Sequence, residues 1–333
     1  MEVKKSNFDR DSLVSVIVPV YNCAATISET IKSVQAQTYP YWELICVDDG
    51  STDNGEFIIN EFCENDSRIQ YIRRDRQPKG GSVCRNIGAF SAKGNYLIFL
   101  DGDDLLVRTC LENRLRVIKE TSADFVVFPM ASFKDDPTQA KKCSRTDVKN
   151  MKYYFASAQG GWQVTSPIYR KAFFKSLNGF NEAFPRLQDI ELHLRIILFS
   201  HGNYIVRDDV APDCLYRMGD HHYSQQKILN GLKAHRLFFD LLQDNINLFD
   251  NSRNRSAALL GNFCNIFVEL NTLYKKGCDV SVFDDLVNSS LLSYLKPTHK
   301  VLYSCFKKTY KGRSIFFVKV ARKLLLERFI RFA

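Results

Sequence analysis

Gly94-Asn95-Tyr96-Leu97-Ile98-Phe99-Leu100-Asp101-Gly102-Asp103-Asp104 is the stretch that decides how this chain folds. Its unbroken apolar run reads as a strand buried on both faces, as in a parallel sheet covered by helices. The strand then delivers three carboxylates into a turn that contains glycine. Two readings stay open from these residues alone. Carboxylates crowded this closely suit a hard divalent cation, and magnesium or manganese takes one or two of them together with substrate phosphates. The other reading is a solvated strand exit in which Asp and Gly simply make the turn.

Upstream, Val14-Ser15-Val16-Ile17-Val18-Pro19-Val20 is β-branched and too short for a helix, so it forms the first strand. Ile27, Ile31 and Val34 then recur at helical spacing within 26–37, ahead of Pro40. Trp42-Glu43-Leu44-Ile45-Cys46-Val47 is a second strand, running into Asp48-Asp49-Gly50-Ser51-Thr52-Asp53 and a helix carrying Phe57, Ile58, Phe62 and Cys63. A short strand over 68–72 and a loop-to-helix segment over 81–93 precede the acidic turn. Downstream, 124–130 reads as one apolar strand, 134–150 as a surface loop, and 189–199 as a helix with Leu192, Ile196 and Phe199 on one face. Strands alternating with helices through short connections predict an α/β domain with a mainly parallel sheet. Ligands of such sheets gather at the C-terminal strand ends, where both acid clusters fall. Beyond about residue 224 the pattern turns to long helical periodicity. The expected division is 1–224 for a catalytic domain and 225–333 for a helical C-terminal region.

At 333 residues, 45% hydrophobic and 25% charged, the chain has the composition of a globular protein. Its net charge is +9. From residue 296 onward there are eleven Lys or Arg against Glu327, so this tail carries about +10 and the remainder is near neutral. Ten cysteines are scattered singly with no CxxC pair, which argues for free thiols in a reducing compartment rather than disulfides or zinc. The polar start of the chain lacks a signal-peptide core, and no run reaches the ~18 apolar residues of a spanning helix. A cytoplasmic protein is expected, peripheral at the inner face of the cell membrane.

Four pieces in order carry a family resemblance: Ser15-Val16-Ile17-Val18-Pro19-Val20-Tyr21-Asn22, Val47-Asp48-Asp49-Gly50-Ser51-Thr52-Asp53, Arg85-Asn86-Ile87-Gly88 and Phe99-Leu100-Asp101-Gly102-Asp103-Asp104. Together they resemble the N-terminal half of family 2 glycosyltransferases, inverting enzymes of bacterial surface-polysaccharide synthesis with the GT-A, Rossmann-like fold. Leu187-Gln188-Asp189-Ile190-Glu191 resembles the family's acidic motif with Gln188 where Glu is usual. The resemblance fades after Ser224.

It implies a donor site. Pro19, Tyr21, Asn22 and Asp49 would hold the nucleotide base, with Asp49 accepting the imide N–H of a uracil or thymine, UDP being the first choice; cytosine lacks that proton. Asn22 alternatively stabilises a turn. Arg85 would face phosphate or hold the acidic turn. Asp101 would contact ribose or metal-bound water, Asp103 would ligate Mn2+ or Mg2+, and Asp104 would stand behind them. Asp189 is the implied general base for the acceptor hydroxyl, because a sugar alcohol is a poor nucleophile at neutral pH. Its alternative is an acid at a helix N-terminus. Trp162 either stacks on a sugar or belongs to the core. His222, in a loop that folds back over the diphosphate, would complete the metal shell or remain solvated.

Val318, Ala321, Leu325, Phe329 and Phe332 recur at helical spacing opposite lysines and arginines, which suits an anionic membrane surface or, equally, a packed helix with a charged outer face. No nucleic-acid partner is expected. An oxidoreductase is disfavoured because no GxGxxG follows the first strand. The expectation is a metal-dependent hexosyl- or N-acetylhexosaminyltransferase that moves a sugar from a UDP-sugar to a hydroxyl of a glycan or lipid-linked oligosaccharide. The competing reading is a non-catalytic nucleotide-sugar-binding or membrane-associated scaffold protein of the same fold.

Overall fold

The computed structural model describes residues 12–219 and 224–309, together with 311, 315, 316, 318–320 and 323. They divide into two units. The first contains 12–146, 162–182 and 202–219; the second contains 147–161, 183–201 and the described residues from 224 onward.

The first unit holds every strand of the described residues. A seven-stranded sheet runs in the order β10 (Tyr204–Val206), β6 (Phe125–Val127), β9 (Pro167–Arg170), β4 (Tyr96–Phe99), β1 (Val14–Val20), β2 (Trp42–Asp48), β3 (Ile69–Arg73). All neighbours are parallel except β9, which is antiparallel to β4 and β6. The mainly parallel α/β sheet expected from the sequence is therefore present. β1 and β4 are central, and the side chains of Leu97 through Leu100 are fully buried, as a strand covered on both faces must be. Helices α1 (Ile27–Gln35), α2 (Gly55–Asn65), α3 (Gly81–Ser91) and α4 (Cys110–Thr121) make the crossovers, and the short α6 (Lys171–Ser176) follows β9. An aromatic cluster of Phe99, Tyr169, Phe174 and Phe180 fills one side of the sheet with ring centroids 5.1–5.9 Å apart. A four-stranded sheet stands beside the first, in the order β5 (Leu105–Leu106), β11 (Cys214–Arg217), β7 (Met130–Phe133), β8 (Lys141–Lys142).

Three local expectations are corrected. The apolar run 124–130 is two strands in two sheets: Val127 pairs with Pro167, and Met130 pairs with Cys214. Pro129 lies between them and has no N–H to extend a ladder. On α2, Ile58, Phe62 and Cys63 pack against the core as partly buried groups, but Phe57 is 67% exposed and Ile59 is the fully buried hydrophobe. The segment 134–150 is not wholly a loop, since it contains β8.

The second unit is helical among the described residues: α5 (Met151–Ala156), α7 (Gln188–Phe199), α8 (Gln225–Asp244), α9 (Ser252–Lys275), α10 (Asp284–Val287) and α11 (Pro297–Thr309). The expected single break at 224 is replaced by a chain that enters this unit three times. The reason is the apolar α5, whose Tyr153, Tyr154 and Phe155 are buried and which packs on α7 and α9. Of the residues placed on the tail's lipid-facing side, Val318 is buried, and Ala321, Leu325, Phe329 and Phe332 lie outside the described residues.

Candidate active site

Three neighbouring strand ends open one cleft in the first unit. β1 ends in Pro19 and Val20 and passes into Tyr21, Asn22 and Cys23; Asp49 follows β2; the acidic turn follows β4. The cleft has a volume of about 540 Å³ and is lined by Pro19, Tyr21, Asn22, Asp49, Asp101 and Asp103, together with Arg217 and Gly219 from the end of β11. Six residues singled out from the sequence, spread over 85 positions, thus share one concave surface at the C-terminal edge of a parallel sheet, as such folds favour.

The two acids of the first cluster have different settings. Asp48 is buried and accepts from Gly50 N at 3.2 Å, Ser51 N at 3.1 Å, the Ser51 hydroxyl and Tyr71 Oη at 3.2 Å, so it builds the turn. Asp49 Oδ1 accepts from Arg74 Nε at 2.7 Å and Gly80 N at 3.0 Å. Its Oδ2 accepts no bond within the described residues, leaving an oriented acceptor at the cleft wall. Tyr21 is half exposed, with Lys79 Nζ 3.9 Å from its ring centroid. Asn22 takes the turn role: its backbone is left-handed at φ 48°, and its Oδ1 accepts from Thr52 N at 2.8 Å.

Arg85 resolves toward the acidic turn, its Nη2 donating to Asp101 Oδ1 at 2.5 Å. Two hydroxyls fix the same turn, one just before α1 and one on it: Thr26 Oγ1 donates to Gly102 O and Thr30 Oγ1 to Asp104 O, both at 2.9 Å. Asp104 is fully buried and lies behind the cleft rather than in it. Its Oδ1 accepts from Arg217 N at 2.9 Å, while Oδ2 has no partner among the described residues. Burial, reinforced by the charge of Asp101, pushes the Asp103 carboxyl above its ordinary range and the Asp104 carboxyl well above it.

This chemistry suits a divalent cation. Asp103 faces the cleft at an energetic cost to its charged form that a cation removes. Among the described residues no three His, Cys, Asp or Glu side chains converge as a ready metal cage. One protein carboxylate plus ligand phosphates and water is the magnesium or manganese pattern, not that of zinc.

Arg217, which sequence reading passed over, is the cleft's cation. Its Nε donates to Asp103 O at 3.0 Å and its Nη2 to Glu29 Oε2 at 2.5 Å, and its guanidinium lies 4.7 Å from the Phe133 ring centroid. Arg74 was missed as well. No local pattern marks either one, because each acts on an acid far away in sequence. Trp162 is 2% exposed, which makes its indole a core group rather than a platform for sugar. Asp189 occupies the first turn of α7 in the second unit, after Leu187 at φ 61°. Gln188 Nε2 donates to Phe184 O at 3.3 Å, a donor role that an ionised Glu could not fill. His222 lies outside the described residues.

Residues 15–177 match the family described as "Glycosyl transferase family 2". Residues 15–177 thus form a glycosyltransferase family 2 domain. Among curated relatives, "Glycosyltransferase GlyG" of Streptococcus pneumoniae is 36% identical over 116 residues, covering 34% of this chain and 38% of the relative. "UDP-Glc:alpha-D-GlcNAc-diphosphoundecaprenol beta-1,3-glucosyltransferase WfgD" of Escherichia coli is 40% identical over 116 residues, covering 35% and 45%. The chain therefore spans less than half the length of these relatives. Among solved structures, S. aureus TarS 1-349 in complex with UDP-GlcNAc superposes with a TM-score of 0.63 at 18% identity, over 95% of this chain and 91% of that one. That likeness establishes the shared GT-A fold.

Proposed function

We propose that this chain is an inverting glycosyltransferase that transfers one hexose or N-acetylhexosamine from a UDP-sugar to a hydroxyl of a surface glycan or lipid-linked oligosaccharide. The observation that carries the reading is the single cleft uniting Pro19, Tyr21, Asp49, Asp101 and Asp103. The open oxygen of Asp49 suits a uracil N3–H, and Tyr21 offers the adjoining ring face. Arg217 supplies positive charge for a diphosphate. Asp103 would hold Mn2+ or Mg2+, which when bound neutralises charge on the departing diphosphate. Asp189 accepts the proton of the acceptor hydroxyl as it attacks the anomeric carbon from the face opposite the leaving group. The names of relatives agree with this donor and acceptor class: WfgD is named for UDP-Glc and a diphosphoundecaprenol acceptor, and TarS was solved with UDP and UDP-GlcNAc. PcManGT, a structural neighbour at TM-score 0.54, was solved with GDP-Man and Mn2+.

The test is a binding and turnover panel of UDP-, GDP- and dTDP-sugars with manganese. UDP-sugars should stabilise the protein in a metal-dependent way that Asp103→Ala abolishes. Asp189→Asn should keep donor binding and lose transfer. Absence of transfer and of UDP-sugar hydrolysis in the intact protein, with Asp103→Ala behaving identically, would favour the non-catalytic alternative.

We also propose peripheral docking on anionic membrane through residues 296–333, on the strength of their charge of about +10. No helix among the described residues is long and apolar enough to cross a membrane. Flotation with anionic liposomes should require these residues; equal flotation after their removal refutes the docking.

A further inference from the structure

A second cavity, of about 240 Å³, opens in the first unit and shares no lining residue with the cleft. Val117, Phe128, Val210 and Pro212 give it an apolar lining. One face of α4 presents Asn113 and Arg116 to it. Neither the Asn113 amide nor the Arg116 guanidinium has a hydrogen-bond or ion-pair partner among the described residues. The other charges there are already engaged. Asp213 is gripped by the buried Arg114, with Nε to Oδ2 at 2.9 Å and Nη2 to Oδ1 at 2.5 Å. Arg207 pairs with Asp209 at 2.7 Å and also feels Glu120, and Glu112 accepts from Thr38 at 2.8 Å. One unneutralised guanidinium and an apolar lining therefore define what the cavity can take.

We propose that this cavity binds a small anion with a compact apolar body, such as an aromatic or branched acid or monophosphate, and that its occupancy is transmitted to the acidic turn. The anionic group sits on Arg116 and Asn113, and the body lies on Val117 and Phe128. The connection is a short ladder. At the cavity end, Val107 N donates to Asp213 O at 2.9 Å. Leu106 then pairs with Cys214 and Leu105 with Leu215. At the far end, Arg217 holds Asp104 Oδ1 through its backbone N and Asp103 O through its Nε. A two-residue strand such as β5 opens locally at little cost, and a ligand bound against Val107 and Asp213 opposes that opening along the whole ladder.

The test uses phenyl phosphate as probe on the full chain, with inorganic phosphate beside it, read by calorimetric titration and by amide hydrogen exchange. Phenyl phosphate should saturate, and inorganic phosphate should bind about tenfold more weakly for want of the apolar body. Arg116→Glu removes the anion contact. Ala211→Trp fills the cavity from an exposed wall and leaves Arg116 in place. Both variants lie outside the cleft, should melt as the parent does, and should each weaken phenyl phosphate binding by about tenfold or more. In the parent alone, the probe should slow exchange of the amides over 104–107 and 213–217. Failure to saturate, undiminished binding in both variants (which would seat the probe in the cleft), or binding that leaves exchange unchanged would each overturn the proposal. None of these readouts depends on the donor assigned to the cleft.

Discussion

Asp49 holds itself in place with one oxygen and offers the other. Arg74 Nε and Gly80 N share Oδ1, so the side chain is oriented before any ligand arrives. Replacing it by Asn makes a sharp prediction. The amide oxygen keeps the Arg74 and Gly80 bonds, and the amide nitrogen turns a donor toward the cleft, where uracil also presents a donor. UDP binding by Asp49→Asn should weaken by about 10- to 100-fold, the value of a charge-assisted hydrogen bond of about 1.5–3 kcal/mol. CDP, whose cytosine N3 is an acceptor, should gain relative to UDP. Parallel calorimetric titrations of UDP and CDP check this, and an unchanged UDP-to-CDP ratio would remove Asp49 from base recognition. Asp49 was legible in the sequence because it stands at a strand end inside a short, ordered motif. Arg74 and Arg217 were not, since nothing beside them in the chain announces the acids they meet across 25 and 114 positions.

The acidic turn works as an element because it is packed against the start of α1. A Cβ on Gly102 would approach Cys23 Sγ to 2.8 Å and Pro19 O to 3.4 Å. Gly102 is therefore required by close approach and not by its backbone angles. Gly102→Ala should push the turn off α1, strain the Thr26 and Thr30 bonds to Gly102 O and Asp104 O, and displace Asp103. We expect at least about a tenfold loss of metal-dependent donor binding with stability lowered by about 1–3 kcal/mol, the range for overpacking. Adding Cys23→Ala removes the sulfur in the way and should restore most of both losses; a double variant no better than the single one would refute the steric account. Elements of this kind were readable where burial on both faces left no choice, as in β1, β2 and β4. They were misread where a partly exposed helix carries more hydrophobes than it buries, as α2 does with Phe57. Pro129 was visible all along, yet that it sends the chain into a different sheet depends on partners at 167 and 214.

At the scale of the whole chain, the sequence pattern changes once, near 224, but the second unit also claims 147–161 and 183–201. The helical spacing of 189–199 was readable, but not which unit it joins; both insertions belong to this unit because apolar side chains such as Phe155 find cover there. The same unit holds an acid with no motif around it. Glu269 on α9 lies against Gly231 of α8, where a Cβ would come within 2.8 Å of Oε2, and that oxygen has no hydrogen-bond partner among the described residues. Burial, only partly offset by the charge of Arg186, pushes the Glu269 carboxyl from 4.5 up to about 7. The folded chain thus retains a proton that the unfolded chain releases. Glu269 costs nothing below pH 4.5, erodes stability as pH rises from about 4.5 to 7, and exacts its full penalty above that. A shift of this size corresponds to roughly 3 kcal/mol. Glu269→Gln cannot ionise, so whatever fixed cost its amide brings, its stability relative to the parent should rise by roughly 3 kcal/mol between pH 4 and pH 8. Urea unfolding of both proteins across that range, followed by helical circular dichroism, measures the difference. A gap that stays constant with pH would mean that Glu269 is ionised in the folded protein and that Arg186, not burial, governs it.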